Sequence, residues 1–184
     1  MKYLLIAVAF LLAPAIHLSA QPRSPGGDVP QVTSPSNADT QWRPTDAQAT
    51  DVLSRTREYF NARDTGKIDE AYAMFSPTQK VTVPLAAWRN AMEAFNARAG
   101  APGGRVVRKV TWYKDPPQRP GIYAAVDFSS RFEGLALHCG YVIWQAQPDG
   151  TFALTREEDN VIDRAMAEKL QPGQLEQIRA QFRC

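Results

Sequence analysis

Histidine and cysteine are scarce in this chain. Its 184 residues hold two of each. An imidazole-based zinc site needs two or three histidines, and a thiolate site needs more cysteines than these. The sequence has no His-Glu-x-x-His, no Cys-x-x-Cys, no Gly-rich phosphate loop and no Gly-x-Ser-x-Gly. The chemistries that depend on those patterns fit poorly, and neither a metal nor a cofactor is expected. Charge of one sign is also lacking, since 21 Lys and Arg face 19 Asp and Glu for a formal net charge of +2. The bases are scattered rather than clustered, so no nucleic-acid partner is expected. With 44% hydrophobic and 22% charged residues, the chain is too apolar to be disordered throughout. Its length suits one domain with a core.

One long apolar run stands out, Tyr3 to Leu12, preceded by Lys2 and followed by the small-residue stretch Leu18-Ser19-Ala20. That order reads as a signal peptide over residues 1–20, cleaved near Ala20. The run is shorter than the roughly 20 residues a bilayer span requires, so no stable membrane span is expected after cleavage. The mature chain is then periplasmic or secreted, with His138 as its single histidine. Both Cys139 and Cys184 survive cleavage. In an oxidising compartment two thiols with no third suggest one disulfide. It would close a loop of about 45 residues and stabilise by roughly 4 kcal/mol on the chain-entropy estimate. Two unpaired thiols, with Cys139 a small core residue, are the alternative.

Residues 21–44 read as a Pro/Gly/Ser-rich disordered linker. Five of the 14 prolines fall there, with Gly26-Gly27 and one large apolar group, Trp42. The period then becomes helical. Thr45-Asp46-Ala47-Gln48 has capping-box spacing, and Val52, Leu53, Thr56, Tyr59 and Phe60 share one face. Ile68, Ala71, Tyr72 and Phe75 mark a second, short helix that Ser76-Pro77 stops. A third carries Leu85, Trp88, Met92 and Phe95. Beyond the break at residues 100–104 the period falls to two. Ile122, Ala124, Val126 and Phe128 alternate with Tyr123, Asp127 and Ser129. Leu135 to Gln147 is apolar on both faces, Pro148-Asp149-Gly150 reads as a hairpin turn, and a last strand follows. The layout is α+β: three N-terminal helices packed on a curved antiparallel sheet over residues 45–162, then a helical tail over 163–184.

The stretches YFNARDTGKIDEAYAMFSP, AWRNAMEAFNARAGAPGGR, YAAVDFSSRF and WQAQPDGTFALTREEDNVI resemble the domain of unknown function 4019 family. The resemblance implies an exported bacterial protein with the cone-shaped fold of nuclear transport factor 2 and scytalone dehydratase, over about residues 48–162. The family has no established activity, so no catalytic residue carries over.

Several residues nevertheless invite a functional reading. His138, paired with Asp127 or Glu157 and with Tyr123 as proton donor, would equip a cofactor-free hydratase, isomerase or hydrolase. The plainer reading is a buried strand histidine. Asp127 and Arg131 share a strand face that either grips a charged ligand or is simply solvated. Glu157-Glu158-Asp159 reads as an exposed acidic loop. Trp88, Trp112, Phe128 and Trp144 either line a pocket for an apolar ligand or fill the core. The leading expectation is a non-catalytic periplasmic module that binds a small apolar ligand or an envelope protein. A structural homodimer is a further alternative.

Overall fold

A computed structural model describes residues 29–34 and 36–184. The expected export segment and residues 21–28 of the linker lie outside them. Six helices and five strands are found among the described residues: β1 (Gln31–Thr33), α1 (Asp46–Asp64), α2 (Ile68–Ala73), α3 (Pro77–Thr82), α4 (Leu85–Ala99), β2 (Pro102–Lys114), β3 (Ile122–Phe132), β4 (Leu135–Ala146), β5 (Phe152–Asp163), α5 (Arg164–Ala167) and α6 (Gln174–Phe182). The fold is α+β. The strands form one sheet in the order β1-β2-β3-β4-β5.

Local chemistry sets the helix ends. The Thr45 hydroxyl accepts from the Gln48 amide, while the Gln48 side chain accepts from the Thr45 amide, so the expected capping box opens α1. Gly66, at φ 73°, takes the left-handed turn just beyond α1 that a Cβ would disfavour. Pro77 does not simply stop the chain, as its position after Ser76 suggested. It is the first residue of α3, where its missing N–H costs nothing, and the Ser76 hydroxyl caps the Gln79 amide. Four helices therefore precede β2, rather than three.

The sheet departs from the expected antiparallel arrangement at one edge. β2, β3, β4 and β5 pair antiparallel, but β1 joins β2 in parallel, with Gln31 opposite Val110 and Thr33 opposite Trp112. The sheet is thus mixed. The reason lies in Trp112, whose indole is fully buried and whose N–H needs an acceptor. Gln31 supplies it at 2.6 Å, and Trp42 packs edge-on against the same indole at 6.4 Å. Asn37 accepts from the Lys114 amide at 2.9 Å. Residues 29–34 and 36–44, read as linker from composition, so cover an edge that would otherwise expose a row of free backbone groups.

The main core joins Val52, Leu53, Tyr59 and Phe60 of α1, Ile68 and Ala71 of α2 and Trp88 of α4 to inward residues of β2–β5. Those include Val110, Trp112, Val126, Phe128, Val142, Trp144 and Leu154. The sheet face carrying them is called the inner face below. Thr56 shows how polar atoms survive there: its hydroxyl donates to the Val52 carbonyl and accepts from the Trp144 indole. The outer face is covered in part by the C-terminal tail. Leu175 and Ile178 of α6 pack with Ala167 on Leu137, Cys139 and Ile162. Cys139 and Cys184 stand at disulfide distance, their Cα atoms 5.7 Å apart.

That pairing ties α5 and α6 to β4. Iodoacetamide added to the unreduced protein should label neither cysteine. After reduction it should label both, and trypsin should cut within residues 164–184 before it cuts the sheet. Full labelling of both thiols without reductant would overturn the pairing.

Candidate functional site

The helical stripe on α1 continues one turn past Phe60 and ends on a charge. Arg63 lies on the buried face with Thr56 and Tyr59, and its side chain is 1% exposed. A guanidinium cannot shed its proton in a protein, so burying it demands carboxylates. They come from β5. Two residues of β5 oppose one step of β4 at Thr155 and Arg156, since Leu154 faces Trp144 while Glu157 faces Val142. This bulge reverses which face successive side chains occupy. Before it, Phe152 and Leu154 point inward; after it, Glu157, Asp159 and Val161 do.

The residues read as an exposed acidic loop are therefore strand residues. Glu158 alone of the three faces outward, bonded to Arg156. Glu157 pairs with Arg63 and accepts the Tyr59 hydroxyl at 2.5 Å. Asp159 lies 3.6 Å from Arg63 and 3.3 Å from Nε2 of His138. A second ion pair flanks the first. Arg105 of β2 grips Asp64 of α1 through two bonds of 2.9 and 2.8 Å, with its guanidinium carbon 4.1 Å above the Phe60 ring centroid.

The cluster is held in unequal charge states. Burial opposes the Arg63 charge, but Glu157, Tyr59, Asp159 and Asp64 together outweigh it and hold the guanidinium firmly protonated. Burial raises the Glu157 carboxyl above its usual range in spite of Arg63. Burial also pushes Asp159 upward; His138 and Arg63 overcome it, and that carboxyl sits below its usual range. Burial drives the Tyr59 hydroxyl well above its ordinary value, with Glu157 adding to the effect. His138 is shifted downward by burial, which the neighbouring Asp159 only partly offsets.

The residues of the alternative catalytic reading are not brought together. The carboxylate beside His138 is Asp159, rather than Asp127 or Glu157. Asp127 faces outward and pairs with Lys109 at 3.0 Å. Tyr123 also faces outward, with its hydroxyl donating to the Pro120 carbonyl and accepting from Gln145. It stands seven residues from the position opposite His138, about 23 Å along β3. The His138 side chain is 0% exposed, and its ring is surrounded by Phe95, Phe128 and Phe132 with centroids 5.2–5.5 Å away. Neither ring nitrogen has a hydrogen-bond partner among the described residues, although Asp159 stands 3.3 Å from Nε2. Among the described residues no set of three His, Cys, Asp or Glu side chains converges to hold a metal ion. Trp88, Trp112, Phe128 and Trp144 are all buried in the main core.

The outer face, by contrast, is open. Between the β2–β3 loop and the start of α3 lies a hollow of about 360 Å³ lined by Ser76, Tyr113, Pro116, Tyr123, Ile143 and Gln145, among others. Nothing in the order of residues marked this hollow, because it gathers side chains from α3, β2, β3, β4, β5 and the β2–β3 loop.

The chain belongs to the family described as "Protein of unknown function (DUF4019)", whose model matches residues 55–156. That span contains α2, α3, α4, β2, β3 and β4 whole, with Tyr59, Arg63, Arg105, His138 and the outer hollow, and it ends one residue before Glu157. Comparison with curated proteins and with solved structures gives no match.

Two outcomes test this electrostatic reading. Arg63→Met should destabilise the fold by about 3–5 kcal/mol, because Glu157 and Asp159 are left buried without their counter-charge. Chemical denaturation of wild type and variant measures it, and a loss under 1 kcal/mol would contradict the burial argument. His138 has a folded pKa below its unfolded value near 6.5. Between those two values the unfolded chain binds more protons, so stability rises with pH across that window. It is fully present above 6.5 and lost as pH falls through the folded value. Asp159 acts in the same direction at lower pH, and Glu157 in the opposite one. His138→Gln should therefore lose less stability than wild type between pH 7.5 and 5.5; equal losses would show that His138 is not the sensor.

Proposed function

We propose that this protein is an exported, non-catalytic binding module that takes a small apolar ligand on the outer face of its sheet. Export is supported by the apolar N-terminal run after Lys2 and by the Cys139–Cys184 pair, which suits an oxidising compartment. No described helix is long and apolar enough to cross a membrane. The fold is read as cone-like, its helices lying on one face of a curved sheet, in the manner of nuclear transport factor 2. The shared core of α1, α2, α4 and β2–β5 supports that reading.

The outer hollow carries the binding assignment. Its size falls in the range of small-molecule sites, and tyrosine rings, Pro116 and Ile143 supply apolar wall beside the polar side chains of Gln79, Arg119, Gln145 and Arg156. Tyr123 is already fixed by bonds to Pro120 and Gln145, so one wall is ordered before any ligand arrives. The core tryptophans are occupied with one another and with α1 and α4, which moves the expected apolar site from the interior to the exterior. A hydrolytic or hydratase reading needs His138 to meet substrate, and its enclosure by three phenylalanine rings gives that reading no support.

The uncharged dye Nile red is a suitable probe. Its fluorescence should rise saturably with protein at micromolar concentration. Ile143→Glu, a change at a half-buried outward position, should weaken the interaction at least about tenfold while the melting temperature stays within a few degrees. Absence of saturable binding to wild type, or equal binding to the variant, would overturn the assignment.

A further inference from the structure

A second cavity on the outer side has the opposite chemistry. It lies at the β3–β4 turn end of the sheet, between the strands and the tail, with a volume of about 800 Å³. Five arginines line it: Arg105, Arg108, Arg131, Arg164 and Arg179. No aspartate or glutamate is among its lining residues. The hydroxyl residues Ser129 and Ser130 are. His138 borders it too, but with no exposed side-chain surface.

The five arginines are not equally committed. Arg105 is spent on Asp64, and Arg164 donates to the Glu133 carbonyl. Arg179 anchors α6 by donating to the Ala136 carbonyl at 2.7 Å, and shares a loose 3.5 Å pair with the exposed Glu176. Arg108 and Arg131 have no side-chain partner among the described residues, and both are exposed. Cys184 also lines the cleft.

Such an arrangement repels itself unless something negative enters. Ordinary surfaces interleave the two signs, as Lys109 and Asp127 do farther along the same face. Here the strand bank and the helix bank each present guanidinium groups across a space large enough for a small molecule. Guanidinium forks match phosphate and carboxylate oxygens two at a time.

The geometry points to this cleft as a binding site for a small polyanion carrying two or more phosphate or carboxylate groups, held by Arg108 and Arg131 from the sheet and by Arg179 from α6. The site is independent of the apolar hollow. Neither cavity shares a lining residue with the other, so either assignment stands if the other fails.

Calorimetric titration of the full chain with pyrophosphate and with citrate tests it, beside vesicles of phosphatidylglycerol and of phosphatidylcholine. At least one of the two small anions should bind with 1:1 stoichiometry, and more weakly as salt rises. Arg108→Gln and Arg131→Gln sit at exposed strand positions; each should weaken that binding about tenfold, and the double variant about a hundredfold if the two contacts add. Three results would overturn the proposal: no binding of either small anion at low salt, unchanged binding by the double variant, or binding confined to phosphatidylglycerol vesicles, which would assign the cleft to a lipid surface instead.

Discussion

The buried guanidinium of Arg63 is the constraint around which the inner half of the molecule is arranged. An apolar stripe on a helix is tolerant, because its residues pack almost as well after a small rotation or slide. A desolvated charge is not. Arg63 is satisfied only while α1 holds the rotation that aims it at β5 and while β5 holds the register that brings Glu157 and Asp159 to the same place. One side chain thus couples a helix near the beginning of the domain to the last strand, 94 residues later. Replacing such a cluster by hydrocarbon often stabilises a protein, so its presence argues for specification of one arrangement more than for raw stability.

The bulge at Thr155 and Arg156 is the backbone counterpart of that charge. Without the extra residue, Glu157 and Asp159 would face outward and Glu158 inward, leaving Arg63 a single carboxylate in place of two. The same half-turn of parity puts Val161 against Phe95, Phe132 and Leu135, and Ile162 against the tail. A single irregularity therefore serves both faces. It gives the inner face its acids and gives the outer face the apolar seat on which Leu175, Ile178 and Cys184 rest.

Much of the scaffold was legible because its signals are local. The Thr45 capping box, the stripe from Val52 to Phe60, the Gly66 turn and the alternation from Ile122 to Phe128 each depend on residues close together in sequence. The α+β class followed from them. What escaped depends on distant partners or on ambiguous residues. Proline after a serine stops one helix and starts the next with the same chemistry, so α3 was hidden in a helix end. β1 is three residues long and exists because a buried indole and a strand edge lie beside it. Asp159 read as part of an exposed loop and Arg63 drew no reading at all, because each is polar when taken alone. Their spacing did hold a clue, since Arg63 falls four residues after Tyr59 on the apolar stripe, and Glu157 and Asp159 stand two apart in a strand. Only the bulge, which no residue type announces, decides that those acids turn inward.

The two faces of the sheet differ in what a ligand would meet. The inner face is mostly packed: its aromatic rings lie against one another, Arg63 pairs with Glu157, and His138 is walled in by phenylalanine. The outer face is half-covered by α5 and α6, which the Cys139–Cys184 pair fastens to β4. Its apolar hollow centres on Tyr123 and its arginine cleft on Arg131, eight residues and about 26 Å apart along β3. The Lys109–Asp127 pair stands between them and neutralises the middle of the face. A further hollow of about 660 Å³ lies beside that pair; it shares Tyr113 and Ile143 with the apolar hollow and Arg108 with the cleft. Because α6 forms one bank of the charged cleft, the cysteine pair that fastens the tail to β4 also fixes the shape of that cleft. The apolar hollow, built from the β2–β3 loop, the start of α3 and the strand ends beside them, takes no lining residue from the tail.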